Sequence, residues 1–313
     1  MNTIKGHHHV SMVTKNAQVN VHFYRDILGL RLVKKTVNQD TPSMYHLFYG
    51  DTTGSAGTEL SFFELPIAAG THRGTNSISR IGLLVQNEET LTYWQERFQV
   101  LGVNHGEKFM YGNRKALPFE DPDGLQLLLI NHEEKEIPTF WTPWEDSVVP
   151  TQHQILGIGP VELTVRNIAK TSKTLANLLG YHEITATKEE AVYQSVEGAA
   201  YSEIVLKKLL GDKERPGRGS VHHIAIRVDT EEHMKEWAER VAEAGFETTG
   251  VIDRYYFHSL YFRESNGILF ELATDGPGFL ADEVSENLGN ELALPPFLEN
   301  RRAEIEAKLK PII

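Results

Sequence analysis

Two histidines and a glutamate stand at positions from which they could bind one metal ion. His9 ends a run of three histidines near the start of the chain, His223 is the second of a histidine pair, and Glu271 follows three apolar residues. Two imidazoles and one carboxylate make up the facial triad of non-haem iron sites, which leaves coordination positions open. A lone histidine in a strand is more often a core residue than a ligand. A second observation must therefore connect the three positions before a shared metal site can be inferred.

An internal repeat supplies that link. Four segments, units one to four, each read as an alternating strand and an amphipathic helix that stops at a glycine, which supplies the left-handed helix cap. The first-strand position is occupied in turn by His9, Arg80, Pro160 and His223, and the capping position by Gly29, Gly102, Gly180 and Gly245. The two positions lie 20, 22, 20 and 22 residues apart. His9 and His223 are therefore equivalent, whereas units two and three offer no metal ligand there.

Later glycines extend the repeat into a hairpin. Gly124 in unit two and Gly267 in unit four each lie 22 residues beyond the capping glycine of their unit. Each unit is therefore predicted to contain one strand, one helix and about three further strands that end in a hairpin. The expected helices are Ala17–Leu28, Glu89–Leu101, Ile168–Leu179 and Glu231–Ala244.

The last hairpin aligns the glutamate with a tyrosine. Its turn, Ser265-Asn-Gly267, is typical of a three-residue loop whose glycine is left-handed. With that turn Glu264 pairs with Ile268, and counting outward places Tyr261 opposite Glu271. Cross-strand partners share a face of the sheet, so the phenol and the carboxylate are expected to face the same space. A buried carboxylate there needs a cation or hydrogen-bond donors.

The repeat predicts an α+β fold in which four βαβββ modules pair into two curved-sheet domains. The modules are expected at about residues 7–66, 78–132, 157–209 and 220–274. Residues 1–132 would form the first domain and residues 156–274 the second, with a linker rich in proline and tryptophan at 133–155. Residues 275–313 are expected to be a C-terminal strap with a closing helix from about Leu298 to Lys310.

The composition narrows the function classes. The chain has 313 residues, 0 cysteines and a net charge of -12. Without cysteine there is no thiolate metal site, cysteine nucleophile or disulfide, which fits the cytoplasm. No cluster of lysine and arginine predicts a nucleic-acid partner, and no apolar run approaches the roughly 20 residues of a membrane span. Small molecules are the expected partners, and a homo-oligomer is left open.

The sequence resembles the vicinal oxygen chelate superfamily, which is built from βαβββ units, in the segments Gly6–Val10, Val221–Ala225 and Gly267–Glu271. Within that superfamily it resembles the dioxygenases that cleave hydroquinone rings, which take one metal ligand from the first unit and two from the fourth. Further similar segments are Tyr45–Asp51, Gly54–Thr58, Asp253-Arg254 with Tyr261, and Gly278–Glu283. The catechol-cleaving branch takes its first histidine from the third unit, where this chain has Pro160.

The resemblance implies a metal-dependent ring-cleaving dioxygenase that acts on a hydroquinone- or catechol-type diol with O2. It implies Fe(II), with Mn(II) as the other option, held by His9, His223 and Glu271. Tyr261 and Arg254 would lie beside the ligands, the tyrosine to exchange a proton and the arginine to hold negative charge.

Three further residues are expected around that pocket. His8 and His222 precede the two ligands, so strand alternation turns them away, although at a strand start they could still reach the pocket. Only one hydroxyl of a hydroquinone can reach the metal. An apolar cage, with Phe257 as a candidate wall, is expected to fix the other end of the ring.

Two other functions on the same fold stay open. A glyoxalase-type isomerase usually needs four protein ligands, and the one evident fourth ligand is Glu64 at the end of Ser61-Phe-Phe-Glu. Glu64 lies an odd number of residues after Gly57, which places it on the other face of the strand unless Gly54 is the true equivalent. A protein that sequesters a quinone or a drug without chemistry would need no metal triad.

Overall fold

A computed structural model describes residues 3–133 and 135–312 and contains four βαβββ units. Unit one comprises β1 (His7–Thr14), α1 (Ala17–Val21) with a π-helical continuation (His22–Ile27), β2 (Arg31–Val37), β3 (Tyr45–Gly50) and β4 (Glu59–Glu64). Unit two comprises β5 (Ser77–Val85), α2 (Glu88–Leu101), β6 (Phe109–Tyr111), β7 (Arg114–Glu120) and β8 (Gln126–Asn131).

The second half of the chain repeats the pattern. Unit three comprises β9 (Gly157–Val165), α3 (Ile168–Lys173) with a π-helical continuation (Thr174–Leu178), β10 (His182–Ala186), β11 (Glu190–Gln194) and β12 (Glu203–Lys208). Unit four comprises β13 (Val221–Val228), α4 (Glu231–Glu243), β14 (Ile252–Asp253), β15 (Phe257–Arg263) and β16 (Leu269–Pro277). Among the described residues no helix is both long and apolar enough to cross a membrane.

The unit helices start and stop in the same way. The N-cap side chain accepts a hydrogen bond from a first-turn backbone N–H in every unit, and the four caps are Asn16, Asn87, Asn167 and Thr230. The predicted capping glycines all have positive φ, between 69° and 86°. In units one and three the last turns widen, since the N–H groups of Leu28 and Leu179 bond to the carbonyls of Phe23 and Thr174.

Two eight-stranded sheets form, and they do not follow the predicted division into residues 1–132 and 156–274. One sheet has the order β14-β15-β16-β13-β1-β4-β3-β2 and joins unit four to unit one. The other has the order β10-β11-β12-β9-β5-β8-β7-β6 and joins unit three to unit two. The first strand of each unit lies at the edge of its four strands, so it can pair with the first strand of any other unit. That choice is made by packing and not by order along the chain.

A pseudo-two-fold axis relates units one and four. The strands β1 and β13 pair antiparallel, with His9 opposite Ala225, Val10 opposite Ile224, and Ser11 opposite His223. The register is symmetric about the Val10–Ile224 pair, so the two histidines are equivalent in space as well as in sequence.

The last hairpin has the predicted turn. The N–H of Glu264 donates to the carbonyl of Ile268 (3.0 Å), Gly267 has a φ of 90°, and Tyr261 lies opposite Glu271. The carboxylate of Glu264 accepts bonds from the N–H groups of Asn266 and Ile268, which fixes the turn from inside. The hairpin therefore positions Tyr261 and Glu271 side by side on one face.

The C-terminal region departs from the single closing helix expected at about Leu298 to Lys310. Two short helices occur instead, α5 (Pro296–Glu299) and α6 (Arg302–Glu306). Arg301 has a φ of -109° and a ψ of 7°, which interrupts the helical hydrogen bonds between them. Leu298 and Ile305 are both buried, one in each helix. The expected closing helix is therefore present as two short helices separated at Arg301.

Candidate metal centre and cavity

His9, His223 and Glu271 converge at the centre of the sheet formed by units one and four. The Nε2 atoms of the two histidines lie 3.2 Å apart, and Oε2 of Glu271 lies 3.2 Å from His9 and 2.7 Å from His223. All three side chains are buried. These separations suit neighbouring ligands of one small cation, so the three residues could hold a metal ion.

The surroundings of Glu271 favour its charged form. The hydroxyl of Ser259 donates to Oε1 at 2.5 Å, whereas Oε2 is buried and has no hydrogen-bond partner among the described residues. Burial alone would raise the pKa of Glu271, but positive charge on His9 and His223 keeps that pKa well below its ordinary value, as a cation bound at the same place would. An ionised oxygen buried without a donor is an acceptor that a cation would satisfy.

The predicted residues His8 and His222 stand behind the two imidazoles. Nδ1 of His8 lies 3.0 Å from Nδ1 of His9, and Nε2 of His8 lies 3.0 Å from the carbonyl of Thr274. A carbonyl only accepts, so His8 donates from Nε2 and accepts at Nδ1 from His9. That tautomer leaves a lone pair on Nε2 of His9, directed at Glu271 and His223.

Unit four has a similar pair of contacting imidazoles. Nδ1 of His222 lies 2.8 Å from Nδ1 of His223, and the two rings make an edge contact. His8 is fully buried, whereas His222 is exposed and packs against Phe63. Neither histidine lines the cavity, but each contacts the imidazole in front of it, and such contacts fix the tautomer and orientation of metal-binding histidines.

A second group of possible ligands shares His9. Nδ1 of His8, Nδ1 of His9 and a carboxylate oxygen of Glu59 also lie close together. The two Nδ1 atoms are already hydrogen-bonded to each other, and burial raises the pKa of Glu59 well above its ordinary value. This group therefore presents a proton where a metal would need a lone pair, which favours the His9, His223 and Glu271 group.

Tyr261 lies beside the triad, and Arg254 lies next to Tyr261. The ring of Tyr261 makes an edge contact with His223, with the centroids 5.4 Å apart. Burial, and after it the charge of Glu271, raises the pKa of Tyr261, so its hydroxyl keeps a proton to donate. Arg254 interacts with Tyr261 and pairs with Asp40 across the cavity mouth, with 3.1 Å between Nη2 and Oδ2.

The imidazoles of His9 and His223 open into a cavity lined by aromatic and polar side chains. The predicted wall residue Phe257 lies 5.2 Å from His9, measured between ring centroids. Other wall residues were not predicted from the sequence, and they include Thr36, Gln39, His46, Phe48, Phe63 and Tyr256.

Glu64 does not reach the triad. Its Oε1 accepts the backbone N–H of Ala17 at 2.9 Å, so the side chain turns to the start of α1. The position equivalent to Glu271 is Ser61, because Ser61 pairs with Ser11 as Glu271 pairs with Ala225. A count of four residues from Gly57 would have identified Ser61, since Glu271 lies four residues after Gly267.

Among the residues that the structure describes, the sheet formed by units two and three has no such triad. Arg80 and Pro160 occupy the first-strand positions, as the sequence predicted. The side chains of its concave face pair with each other: Arg114 bonds to Glu203, and Lys207 lies 2.9 Å from Glu162. The candidate centre is therefore confined to the sheet of units one and four.

Comparison with known proteins agrees with the fold. Residues 6–129 and 157–272 match the model of the Glyoxalase/Bleomycin resistance protein/Dioxygenase superfamily. The "Putative ring-cleaving dioxygenase MhqA" of Bacillus subtilis is 49% identical over 99% of both chains. The "Chlorohydroquinone/hydroquinone 1,2-dioxygenase" of Sphingobium indicum is 30% identical over 96% of this chain and 95% of the relative.

A solved structure extends the comparison. The crystal structure of a "putative dioxygenase" from Bacillus subtilis superimposes with a TM-score of 0.92 at 35% identity, covering 100% of this chain and 99% of that one. The predicted resemblance is confirmed, and the chain belongs to the Glyoxalase/Bleomycin resistance protein/Dioxygenase superfamily.

Proposed function

We propose that the protein is a ring-cleaving dioxygenase that inserts O2 into a hydroquinone- or catechol-type diol, with Fe(II) or Mn(II) held by His9, His223 and Glu271. One observation carries the proposal. Three ligand atoms converge, and a serine stands where a fourth carboxylate would complete a glyoxalase-type site. The names of the two relatives support the same class of reaction.

The residues fit a divalent ion. Both imidazoles direct Nε2 at a carboxylate oxygen that has no hydrogen-bond donor, and all three groups are buried. With His9 protonated on Nδ1, its Nε2 and the carboxylate oxygen of Glu271 carry lone pairs that repel each other unless a cation lies between them. Such an ion would supply open positions for a phenolate oxygen and O2.

The side chains around the ion have separate tasks. Tyr261 holds a proton next to Glu271 and can donate it to an oxygen atom that gains negative charge as the ring opens. Arg254 lies beside that phenol and at the mouth of the cavity, where its charge favours anionic groups. His8 keeps the imidazole of His9 in the tautomer that leaves Nε2 free, and His222 contacts the imidazole of His223 in the equivalent position.

The walls of the cavity orient the ring. Phe48, Phe63 and Phe257 form an apolar surface against which an aromatic ring packs with its hydroxyl directed at the triad. By covering the reacting carbons, the same aromatic groups limit the access of water.

Oxygen uptake tests the proposal. Protein loaded anaerobically with Fe(II) is expected to consume O2 with hydroquinone. Uptake with catechol and with gentisate shows which arrangement of ring substituents the protein accepts. Glu271→Gln is expected to lose metal, by elemental analysis, together with uptake. Glu59→Gln is the matched control, because Glu59 is an equally buried carboxyl of the same sheet, and it is expected to keep metal. Normal metal in Glu271→Gln, or no uptake with any of the three diols, would refute the proposal.

A further inference from the structure

One wall of the cavity carries polar atoms that the proposed metal centre does not use. His46 and Thr36 lie opposite each other on β3 and β2 and line the cavity. Thr36 is 3% exposed, and its Oγ1 has no hydrogen-bond partner among the described residues. A buried hydroxyl without a partner costs free energy, so this atom is suited to a ligand group.

His46 is held in a fixed orientation next to Thr36. Its ring lies between Phe48 and Phe63, with centroid distances of 4.0 Å and 4.1 Å. Its Nε2 lies 3.3 Å from the hydroxyl of Ser61, which lies 2.6 Å from the hydroxyl of Ser11. Within residues 3–133 and 135–312, Nδ1 of His46 makes no hydrogen bond and stays available.

The other polar residues of the cavity are engaged with one another. Gln39 donates to the carbonyl of Arg254 at 2.7 Å, and Asp40 pairs with the guanidinium of Arg254. The side chain of Asn38 accepts the N–H groups of Asp40 and Thr41. Oγ1 of Thr36 and Nδ1 of His46 are polar atoms of this wall that have no hydrogen-bond partner among the described residues.

The pseudo-two-fold axis places this pair across the cavity from Glu271. Ser61 is the unit one equivalent of Glu271, and by the same register Phe48 corresponds to Tyr261 and His46 to Ser259. Three strand spacings of roughly 4.8 Å separate β16 from β4 around the curved sheet. The unit four wall is thus acidic and adjoins the triad, whereas the unit one wall is neutral and polar.

We infer that His46 and Thr36 bind the second hydroxyl of a para-diol whose first hydroxyl lies at the triad, and that they select hydroquinones over catechols. The inference rests on the proposed function. The hydroxyls of a hydroquinone point in opposite directions, so the far one must meet a polar group within an aromatic cage. An imidazole nitrogen and a threonine hydroxyl can each donate to or accept from a phenol.

Binding of matched ligands tests the pair. Dissociation constants for hydroquinone and 4-methylphenol, which replaces one hydroxyl with a methyl group of similar size, are measured by calorimetry on the metal-loaded protein without O2. The wild type is expected to prefer hydroquinone by roughly tenfold, the value of one good hydrogen bond. Thr36→Val and His46→Phe are expected to reduce that preference to within twofold while 4-methylphenol binds as before, and His46→Asn is expected to retain part of it.

Controls separate recognition from packing. His153→Phe changes a histidine stacked on Tyr93 outside the cavity and is expected to keep the full preference. The dissociation constant of catechol, whose hydroxyls are adjacent, is expected to change less than threefold in Thr36→Val and in His46→Phe. An unchanged preference, equal weakening of hydroquinone and 4-methylphenol, or an equal loss for catechol would overturn the inference. Absence of oxygen uptake by the wild type would instead refute the proposed function, and it leaves the binding comparison intact.

Discussion

Ser61 in unit one occupies the strand position that Glu271 occupies in unit four. Both residues follow the same register from the first strand of their unit, since Ser61 pairs with Ser11 and Glu271 with Ala225. The sheet is therefore symmetric in backbone and asymmetric in charge. One carboxylate and two imidazoles leave part of a cation's coordination sphere open, and a second carboxylate at Ser61 would close it.

Ser61→Glu is expected to convert the open centre into one with four protein ligands. Metal should be retained, because a second carboxylate adds an oxygen ligand. Oxygen uptake should fall at least roughly 100-fold, because the substrate loses its open coordination position on the metal. Elemental analysis and an oxygen electrode measure the two outcomes on one preparation.

The matched control for that variant lies on the same strand. Glu64→Gln changes the carboxylate that accepts the N–H of Ala17, and a glutamine oxygen can accept the same bond. Uptake and metal content should match the wild type. Full activity in Ser61→Glu would show that the position does not face the metal.

Tyr261→Phe is expected to keep metal and lose rate. The phenol lies beside His223 and opposite Glu271, and burial keeps it protonated, so its removal takes away a proton donor but no ligand. A general acid of this kind contributes roughly 100-fold or more to turnover. Stopped-flow measurement of ring opening under saturating O2 detects the loss.

A buried tyrosine elsewhere controls for the change in packing. Tyr181→Phe removes a buried hydroxyl just before β10 in unit three and is expected to leave turnover unaltered. If Tyr261→Phe turns over at the wild-type rate, the hydroxyl has no part in the reaction.

The repeat made much of the fold predictable from the sequence. His9 and His223 were linked by their equal positions in two units, and the turn at Gly267 placed Tyr261 opposite Glu271. Both predictions used local rules, namely the helix-capping glycine and the strand period of two residues.

Longer-range choices could not be predicted in that way. The pairing of unit one with unit four depends on which apolar edge strands bury each other, and every unit has such an edge. Thr36 and His46 carry no spacing signal, since the segment between β3 and β4 is longer than in unit four and obscures the register. Their orientation follows from sheet pairing that only the folded chain defines.

Asp121→Asn is expected to remove one component of the pH dependence of stability. Asp121 closes the hairpin of unit two, where it accepts the N–H of Leu125 at 2.8 Å and the hydroxyl of Tyr24 at 3.2 Å. Burial raises its pKa to about 6. The folded state therefore binds the proton more tightly than the unfolded chain, so this group stabilises the fold at low pH and loses that contribution as the pH rises from about 4 to 6.

The size of the effect follows from the pKa difference. Between pH 4 and pH 7 the free energy of unfolding of the variant, relative to the wild type, should rise by about 2 kcal/mol. Urea unfolding at several pH values measures it, with Glu120→Gln as the control for the loss of one nearby carboxylate. A difference that stays constant with pH would show that Asp121 is ionised throughout.

Lys34→Met is expected to loosen the C-terminal strap. Lys34 on β2 is fully buried, and its ammonium pairs with Asp282 at 2.6 Å and with Glu283, and donates to the carbonyl of Phe279. Removing the cation leaves two carboxylates facing each other with little solvent, which costs about 3 kcal/mol. Limited proteolysis should cleave residues 275–293 faster in the variant, and urea unfolding should shift to lower denaturant.

Neutralising the acids should reverse much of that loss. In the triple variant Lys34→Met with Asp282→Asn and Glu283→Gln, no buried charge is left without a partner. Stability should recover because most of the penalty comes from the isolated charges and not from the loss of the ion pair. Asp282 also accepts the hydroxyl of Tyr256, a cavity residue, and an asparagine oxygen can replace that acceptor. If the triple variant is no more stable than Lys34→Met alone, the strap is held by its apolar contacts, such as Phe279 against Phe48, and not by the lysine.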